Sequence, residues 1–528
     1  ARHQGWMSLG RAGDGHLRFS KTQIGLSDAL LAEMPEATFD ENLAAARRKL
    51  QSFSGVKPRK APRGFRGELR PYQREGLGWL RFLDEHDWGG CLADDMGLGK
   101  TVQILALLAD RRRWSGMGPS LVLAPKSVVF NWIREAERFA PKLRVMDYTG
   151  LDRKGLRESF GEYDLILTTY GTLRRDITFL REQAFNYVVL DEAQAIKNPD
   201  SQNAKAARLL PARRRLALTG TPVENHLGDL WSICEFLNPG MLGAAKAFRN
   251  FAAGNGNGEG EHEELPMLAR MLRPFILRRT KKQVAPELPE RIEQTIDCEL
   301  GPKQAAYYKE LRDHYRASLT ATVEKVGLAR SKMHVLEALL RLRQAACHPG
   351  LIDKSKVGDE SAKLDMLLSM ITELIEKGHK ALIFSQFTKM LAIVRTALDR
   401  RGLTYEYLDG KTYDRPKRID RFQSDPDCRL FLISLKAGGT GLNLTAADYV
   451  FILDPWWNPA VEAQAIDRTH RIGQDKKVIA YRLIARDTVE AKILELQRSK
   501  RALADAIITQ KNSLIRTLTR EDLNELLS

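Results

Sequence analysis

Residues 91–101 read Cys91-Leu92-Ala93-Asp94-Asp95-Met96-Gly97-Leu98-Gly99-Lys100-Thr101. A short apolar lead, a turn with two glycines and a Lys-Thr pair opening an apolar stretch predict a strand, a tight loop and a helix in succession. Backbone N–H groups of such a loop, with the helix N-terminus behind them, form an anion site. Lys100 would reach the outer phosphates of a nucleotide, and Thr101 would hold Mg²⁺. The strict phosphate-loop pattern has glycine where this chain has Asp94, so on these residues alone a Gly-rich turn without a nucleotide stays open.

Working outward, residues 69–222 alternate apolar, β-branched runs with helical stretches. Strands are expected at Leu121–Ala124, Leu165–Thr169, Tyr187–Leu190 and Leu216–Thr219, and helices at Thr101–Asp110 and Phe130–Phe139. Buried strands with intervening helices predict a parallel sheet with its ligands at the strand C-terminal ends. Residues 230–350 read as mostly helical, interrupted by a Gly/Asn-rich loop at Ala252–Glu264. The α/β pattern returns from Lys363. Leu364, Leu367, Leu368, Ile371, Leu374 and Ile375 form one helical face, and strands follow at Ala381–Phe384, Tyr405–Leu408, Leu430–Ile433, Tyr449–Leu453 and Val478–Leu483. The fold class is therefore α/β: two parallel-sheet units with a helical region between them.

Two further pieces bear on chemistry. Asp191 and Glu192 directly follow a buried strand, where carboxylates are costly unless they meet a metal or a solvated cleft. Asp191 suits Mg²⁺, and Glu192 suits the base or orienter of an attacking water. A bare helix start would look the same, but the phosphate loop upstream supplies the partner that hydrolysis needs. In the second α/β unit, Gln464, Asp467, Arg468 and Arg471 share one face if the segment is helical. Two arginines there would stabilise charge on a transferring phosphoryl group; the alternative is a surface ion-pair helix. Cys347-His348 reads as a packed helix end rather than a metal site, and His470 as a positioning residue between two arginines.

The chain has 528 residues and a formal net charge of +16, from 83 Lys+Arg against 67 Asp+Glu. Its length suggests about three or four domains. No apolar run approaches the roughly 18 residues of a membrane-spanning helix, which excludes an integral membrane protein of that kind. Five cysteines (Cys91, Cys234, Cys298, Cys347, Cys428) form no CxxC pair, against a zinc module or a disulfide framework and in favour of a reducing compartment. Half the excess charge is local: Arg47, Arg48, Lys49, Lys57, Arg59, Lys60, Arg63, Arg66 and Arg70 face one acid, Glu68, for a net +8. With Pro58, Pro62 and three glycines, the stretch is either a solvated linker or a segment that touches phosphates. A start at Ala1 without a signal-peptide pattern is expected of a fragment of a longer protein.

Taken together, the pieces resemble the Swi/Snf-type ATPases of helicase superfamily two. The match runs in order over residues 68–495. It includes LRPYQREGLGWL (69–80), LADDMGLGKT (92–101), LVLAPKSVVFNW (121–132), LTTYGTL (167–173), DEAQ (191–194), LTGTP (218–222), ILRRTKK (276–282), LRQAACHP (342–349), LIFSQF (382–387), SLKAGGTGLNLTAADYVF (434–451), DPWWNP (454–459) and QAIDRTHRIGQ (464–474). The last two are highly specific for that family, and its members have Asp at the first phosphate-loop position. The resemblance implies two RecA-like lobes with helical insertions, ATP and Mg²⁺ as cofactors, and double-stranded DNA as partner.

Carried over by position, Gln73 would contact adenine. Asp94, Asp95, Met96, Gly97, Leu98, Gly99, Lys100, Thr101 and Gly441 would form the ATP site, Thr101 and Asp191 the metal site, and Lys100, Asp191, Glu192, Arg468 and Arg471 the catalytic set. Thr219, Gly220, Thr221 and Gln464 would couple hydrolysis to motion. DNA would meet Lys126, Ser127, Thr169, Tyr170, Lys436, Gly438, Thr440 and Trp457. Gln194 stands where many relatives have His, which bears on coupling between lobes.

The expected organisation is a tail of a preceding domain at 1–46, a basic linker at 47–68 and lobe one at 69–230. Helical protrusions and a linker occupy 231–355, lobe two 356–495 and a C-terminal helical brace 496–528. The expected activity is that of a monomeric DNA translocase that displaces DNA-bound proteins of unknown identity. Its place would be the cytoplasm, associated with the nucleoid, in a prokaryote, or the nucleus in a eukaryote. A strand-separating helicase, an RNA-dependent ATPase and a non-enzymatic scaffold are the alternatives.

Overall fold

The computed structural model describes residues 57–110, 118–220, 227–245, 271–438, 442–456 and 459–495, with residues 11–13, 16–18, 23, 41, 116, 248 and 268 besides. The chain forms two compact units, Ala1–Ala285 and Pro286–Ser528. Most of the expected preceding-domain tail, the loop at 252–264 and the C-terminal brace lie outside the described residues, as do Thr221, Thr440, Gly441 and Trp457.

In the first unit, β1 (Arg11–Gly13) and β2 (His16–Arg18) make a small antiparallel pair. The main sheet comprises β3 (Gly90–Leu92), β4 (Ser120–Leu123), β5 (Val145–Asp147), β6 (Leu165–Thr168), β7 (Phe185–Leu190), β8 (Ala212–Leu218) and β9 (Ile276–Leu277). All its pairings are parallel, in the order β5-β6-β4-β7-β8-β3-β9. The helices are α1 (Pro71–Glu85), α2 (Lys100–Leu108), α3 (Lys126–Phe139), α4 (Tyr170–Leu180), α5 (Gln202–Arg208) and α6 (Leu227–Leu237).

Side-chain alternation explains why the sheet is buried on both faces. Val122, Leu165 and Leu167 join Leu77, Ile104 and Trp132 of α1–α3 in one core. Leu121, Leu123 and Ile166 join Leu173, Ala204 and Phe236 of α4–α6 in another. Successive strand residues point to opposite faces, so near-continuous apolar runs are what a doubly covered parallel sheet requires.

The second unit holds β10 (Arg291–Cys298), β11 (Ala381–Ser385), β12 (Tyr405–Leu408), β13 (Leu430–Ser434), β14 (Tyr449–Ile452) and β15 (Val478–Ala485) in the parallel order β10-β15-β14-β11-β13-β12. Its helices are α7 (Pro302–Val326), α8 (Leu328–Cys347), α9 (Ala362–Glu376), α10 (Thr388–Arg400), α11 (Arg415–Ser424) and α12 (Pro459–Ile466). Leu367, Ile371, Met390 and Val394 cover one sheet face. Tyr308 of α7 and Leu342 of α8 pack with Val489 and Ile493.

Three expectations are corrected. The assignment of 231–355 to helical protrusions and a linker gives way at two places, because β9 completes one sheet and β10 forms the edge of the other. The linker reading fails for 62–70: Phe65 is buried and stacks on Phe139 at 5.7 Å, Leu69 is buried, and the Arg66 N–H donates to the Phe139 carbonyl at 2.7 Å. The shared face of Gln464, Asp467, Arg468 and Arg471 does not form, because α12 ends at Ile466. There the Thr469 hydroxyl donates to the Ile466 carbonyl at 2.9 Å and the chain turns.

Candidate nucleotide and nucleic-acid site

Three neighbouring strand ends bring the first unit's polar residues together. β7, β8 and β3 are adjacent, and they lead into Asp191, Thr219 and the 93–99 loop respectively. In this loop Gly97 and Gly99 have positive φ (85° and 74°), a region that favours glycine. A Cβ on Gly99 would also stand 2.7 Å from Gln73 Nε2. The Lys100 ammonium donates to the carbonyls of Asp94 (2.6 Å) and Asp95 (3.3 Å), which holds a cation at the mouth of the loop.

Asp94 faces inward and is fully buried. Arg279 grips it as a fork: Nε donates to Oδ1 at 2.9 Å and Nη2 to Oδ2 at 2.5 Å. Gln103 Nε2 adds a bond to Oδ2 at 3.2 Å, and Arg279 also donates to Gln103 Oε1 and the Tyr72 carbonyl. A carboxylate where the pattern wants glycine would repel a triphosphate; here a guanidinium neutralises it. The backbone continues the pairing, with Ala93 N–H to the Leu277 carbonyl at 2.7 Å and Asp95 N–H to the Arg279 carbonyl at 3.0 Å. Asp95 Oδ2 accepts the Lys281 N–H at 2.9 Å. Gln73, expected at adenine, is buried at the start of α1 and donates to the Leu98 carbonyl at 3.2 Å.

Asp191 is held from several sides. The Trp132 indole N–H donates to Oδ2 at 2.8 Å, and the Glu192 N–H donates to Oδ1 at 2.9 Å. The Tyr170 hydroxyl donates to the Asp191 carbonyl at 2.8 Å. Burial and the adjacent Glu192 charge push the Asp191 carboxyl above its ordinary value, while Trp132 and Lys100 pull it back. A cation at this place would favour the ionised form.

Glu192 sits at φ 51°, an uncommon conformation for a residue with a side chain. Its Oε2 accepts from Gln194 Nε2 at 2.7 Å, and Gln194 Oε1 accepts from the Thr219 hydroxyl at 3.2 Å. Gln194 thus joins the end of β7 to the end of β8. Next to Thr219, a Cβ on Gly220 would meet Met96 Cγ of the loop at 3.0 Å.

Among the described residues, no cluster of three or more His, Cys, Asp and Glu is placed to hold a metal. Mg²⁺ does not need one: it is typically held by one or two protein ligands, substrate phosphates and water. Thr101, in the first turn of α2 behind the loop, and Asp191 fit that donor set. Cys347 and His348 are buried at a helix end, where His348 Nδ1 accepts the Gly350 N–H at 3.0 Å.

The expected nucleic-acid residues divide. Lys126, at the start of α3, is exposed, and Thr169 caps α4 by accepting the Thr172 N–H at 3.1 Å. Ser127 and Tyr170 are buried, at 8% and 7% exposure, so side-chain contact with a nucleic acid is corrected for both. Lys436 and Gly438 belong to a one-turn helix directly after β13. In the second unit Arg468 is buried at 1% exposure, which turns it into the core. Arg471 is partly exposed, and its Nε donates to the Asp467 carbonyl at 2.9 Å. Gln464 is partly exposed on α12, and His470 Nε2 lies 2.8 Å from the Pro289 carbonyl.

Sequence reasoning missed Trp132, Arg279 and Gln474. Gln474 Nε2 donates to the carbonyls of Thr445 (3.0 Å), Ala447 (2.9 Å) and Thr469 (3.2 Å). All three lie inside stretches that carried the resemblance, which was the available signal.

Comparison with known proteins gives two matching family models, the SNF2-related domain over residues 72–351 and the helicase conserved C-terminal domain over residues 362–473. The chain is 38% identical over 493 residues to a putative ATP-dependent helicase/translocase of Bacillus subtilis, covering 91% of this chain and 53% of that protein. It is 38% identical over 460 residues to an uncharacterized ATP-dependent helicase of Mycoplasma pneumoniae, covering 86% and 44%. It is 34% identical over 563 residues to the TATA-binding protein-associated factor MOT1 of Saccharomyces cerevisiae, covering 92% and 30%. The chain therefore spans about half or less of the length of these curated relatives. A solved SWI2/SNF2 ATPase core of Sulfolobus solfataricus in complex with dsDNA is 38% identical, with 90% of this chain and 99% of that one covered and a TM-score of 0.43.

Proposed function

Since the chain belongs to the SNF2-related family, we propose that it hydrolyses ATP and uses the energy to translocate along double-stranded DNA, displacing or remodelling proteins bound there. One observation carries the reading. The phosphate loop, the Asp191-Glu192 pair and the Gln194–Thr219 link meet at three adjacent strand ends of one sheet.

Backbone N–H groups of the loop and Lys100 hold the phosphates, as a helix N-terminus and ammonium do in such loops. Thr101 and Asp191 would hold Mg²⁺, which would supply neutralisation of phosphate charge. Glu192 orients the attacking water and takes its proton, with Gln194 fixing the carboxylate. Arg471, the more exposed of the two arginines, serves the γ-phosphate; Arg468 braces the turn that carries it. Lys126 and Lys436 contact phosphates, so binding is independent of sequence and weakens with salt.

The test compares ATP turnover with duplex DNA, single strands, RNA and no nucleic acid at fixed salt. Duplex should stimulate most; no stimulation by duplex overturns the proposal. A strand-displacement assay on a tailed duplex separates a translocase from an unwinding helicase. Lys100→Ala should abolish turnover, and unchanged turnover would favour a scaffold. Arg471→Ala should keep nucleotide binding and lose hydrolysis; loss of binding alone would sink that assignment.

A further inference from the structure

The sheet order β6-β4-β7 places three consecutive strand ends side by side. β4 leads into α3 and Lys126; β6 leads into Thr169 and α4; β7 leads into Asp191. The first two are elements read above as facing nucleic acid. The third carries the carboxylate suited to Mg²⁺.

Each of the first two elements sends one buried hydrogen bond to Asp191. From α3 it comes from Trp132, fully buried, whose indole N–H meets Oδ2 at 2.8 Å. From α4 it comes from Tyr170, whose hydroxyl meets the Asp191 carbonyl at 2.8 Å. β4 itself adds a third bond, from the Asp191 N–H to the Leu123 carbonyl at 2.8 Å. Side chain and main chain of one residue are therefore fixed from two helices whose first turns lie where phosphates would bind. Trp132 stands six residues after Lys126, about 9 Å along a stiff helix. Packing alone would accept Phe at position 170; the polar tips of both residues matter because a buried N–H or O–H needs its partner.

We infer that Trp132 and Tyr170 are positioning residues that transmit nucleic-acid occupancy at the starts of α3 and α4 to Asp191, and so couple DNA binding to ATP hydrolysis. The inference rests on the proposed DNA-dependent ATPase activity. A shift of α3 re-aims the carboxylate through Trp132, and a shift of α4 moves the main chain that carries it through Tyr170. Tyr170 then acts through Asp191 rather than by touching DNA, which fits its burial.

The test uses the full chain with Tyr170→Phe, which removes one hydrogen bond with little change of shape, and Trp132→Phe, which removes one hydrogen bond and part of a buried ring. Four quantities are read: kcat and KM for ATP with and without duplex, Mg²⁺ needed for half-maximal rate, duplex affinity by fluorescence anisotropy, and the melting curve. The ratio of stimulated to basal turnover should fall about tenfold or more, and the Mg²⁺ requirement should rise, as for partners that orient a metal ligand. Duplex affinity should hold. Intact stimulation in both variants, with wild type stimulated, overturns the inference and leaves the ATPase reading standing. A wild type that duplex fails to stimulate overturns both. Duplex affinity falling in step with stimulation in Tyr170→Phe would make Tyr170 a DNA contact and overturn its positioning role. Should Trp132→Phe melt early, Tyr170→Phe decides the matter.

Discussion

Gln194 shows how much one side chain can connect. Its amide donates to Glu192 and accepts from Thr219, so Glu192 and the end of β8 share a residue. Gln194→Ala should lower kcat about 10- to 100-fold, the usual loss for a residue orienting a catalytic group. Nucleotide affinity, measured by equilibrium titration, should stay within about twofold, because the side-chain bonds of Gln194 go to Glu192 and Thr219 and not to the phosphate loop. Equal losses in affinity and turnover would overturn the assignment. At this scale the sequence spoke unevenly. Lys100, Asp191 and Glu192 were legible because residue type and neighbours define their chemistry. Asp94 showed only as a departure, since the arginine that explains it lies 185 positions away. Trp132 was illegible because an apolar-face tryptophan reads as core whether or not its N–H has a carboxylate to meet.

Elements tell a different story. β4, β6, β7 and β8 were legible as apolar runs, and so were β11 to β15. β5 is three residues and β9 only two, too short to show a period, whereas β3, also three residues, was legible from the loop and helix that follow it. β10 hides for another reason: as an edge strand, its residues Arg291, Glu293 and Gln294 are polar.

Two elements invite tests. Arg279→Met would leave Asp94 buried without a counter-ion, at a cost of about 3–5 kcal/mol in denaturant unfolding. Adding Asp94→Gly should recover part of that loss; no recovery would show that Arg279 acts apart from Asp94. In α4, Asp176 accepts from Arg153 at 2.7 and 3.1 Å and from Tyr148 at 3.0 Å. Burial pushes its carboxyl up, but the Arg153 and Tyr148 bonds and the charges of Arg153 and Arg157 outweigh this and set it below the ordinary value. Such a group stabilises the fold above its unfolded-state pKa of about 3.9, and the gain is lost as pH falls through the folded value. Asp176→Asn should cost about 3 kcal/mol at pH 7. The gap to wild type should narrow below about pH 4. A gap constant with pH would sink the charge argument.

Over the whole molecule, the question is what the basic stretch does. Its described part lies along α1–α3 of the first unit. The Arg59 N–H meets the Arg74 carbonyl at 2.9 Å, and Gly64 lies against the Ala109 carbonyl just past α2. Arg63 and Arg66, both exposed, flank the buried Phe65. They stand near the far ends of α2 and α3, about 13 and 20 Å along those helices from Lys100 and Lys126. Replacing Lys60, Arg63 and Arg66 with Ser should therefore leave basal ATP turnover unchanged. It should lower duplex affinity modestly and flatten its salt dependence if these side chains meet phosphates. A collapse of turnover with affinity intact would make the stretch regulatory. Composition could flag the charge but not its place, because the place is set by Phe65 and Leu69, two apolar residues within a polar run.

The pairing of β9 with β3 has a consequence for how the protein is made. Asp94 leaves the ribosome long before Arg279. At about 5–20 residues per second the delay is about 10–40 s. Until then β3 is a sheet edge, open to other strands, and its carboxylate has no guanidinium to meet. The nucleotide pocket is therefore among the last parts of its unit to be completed. Nascent chains halted before residue 276 should be the stage most dependent on chaperones.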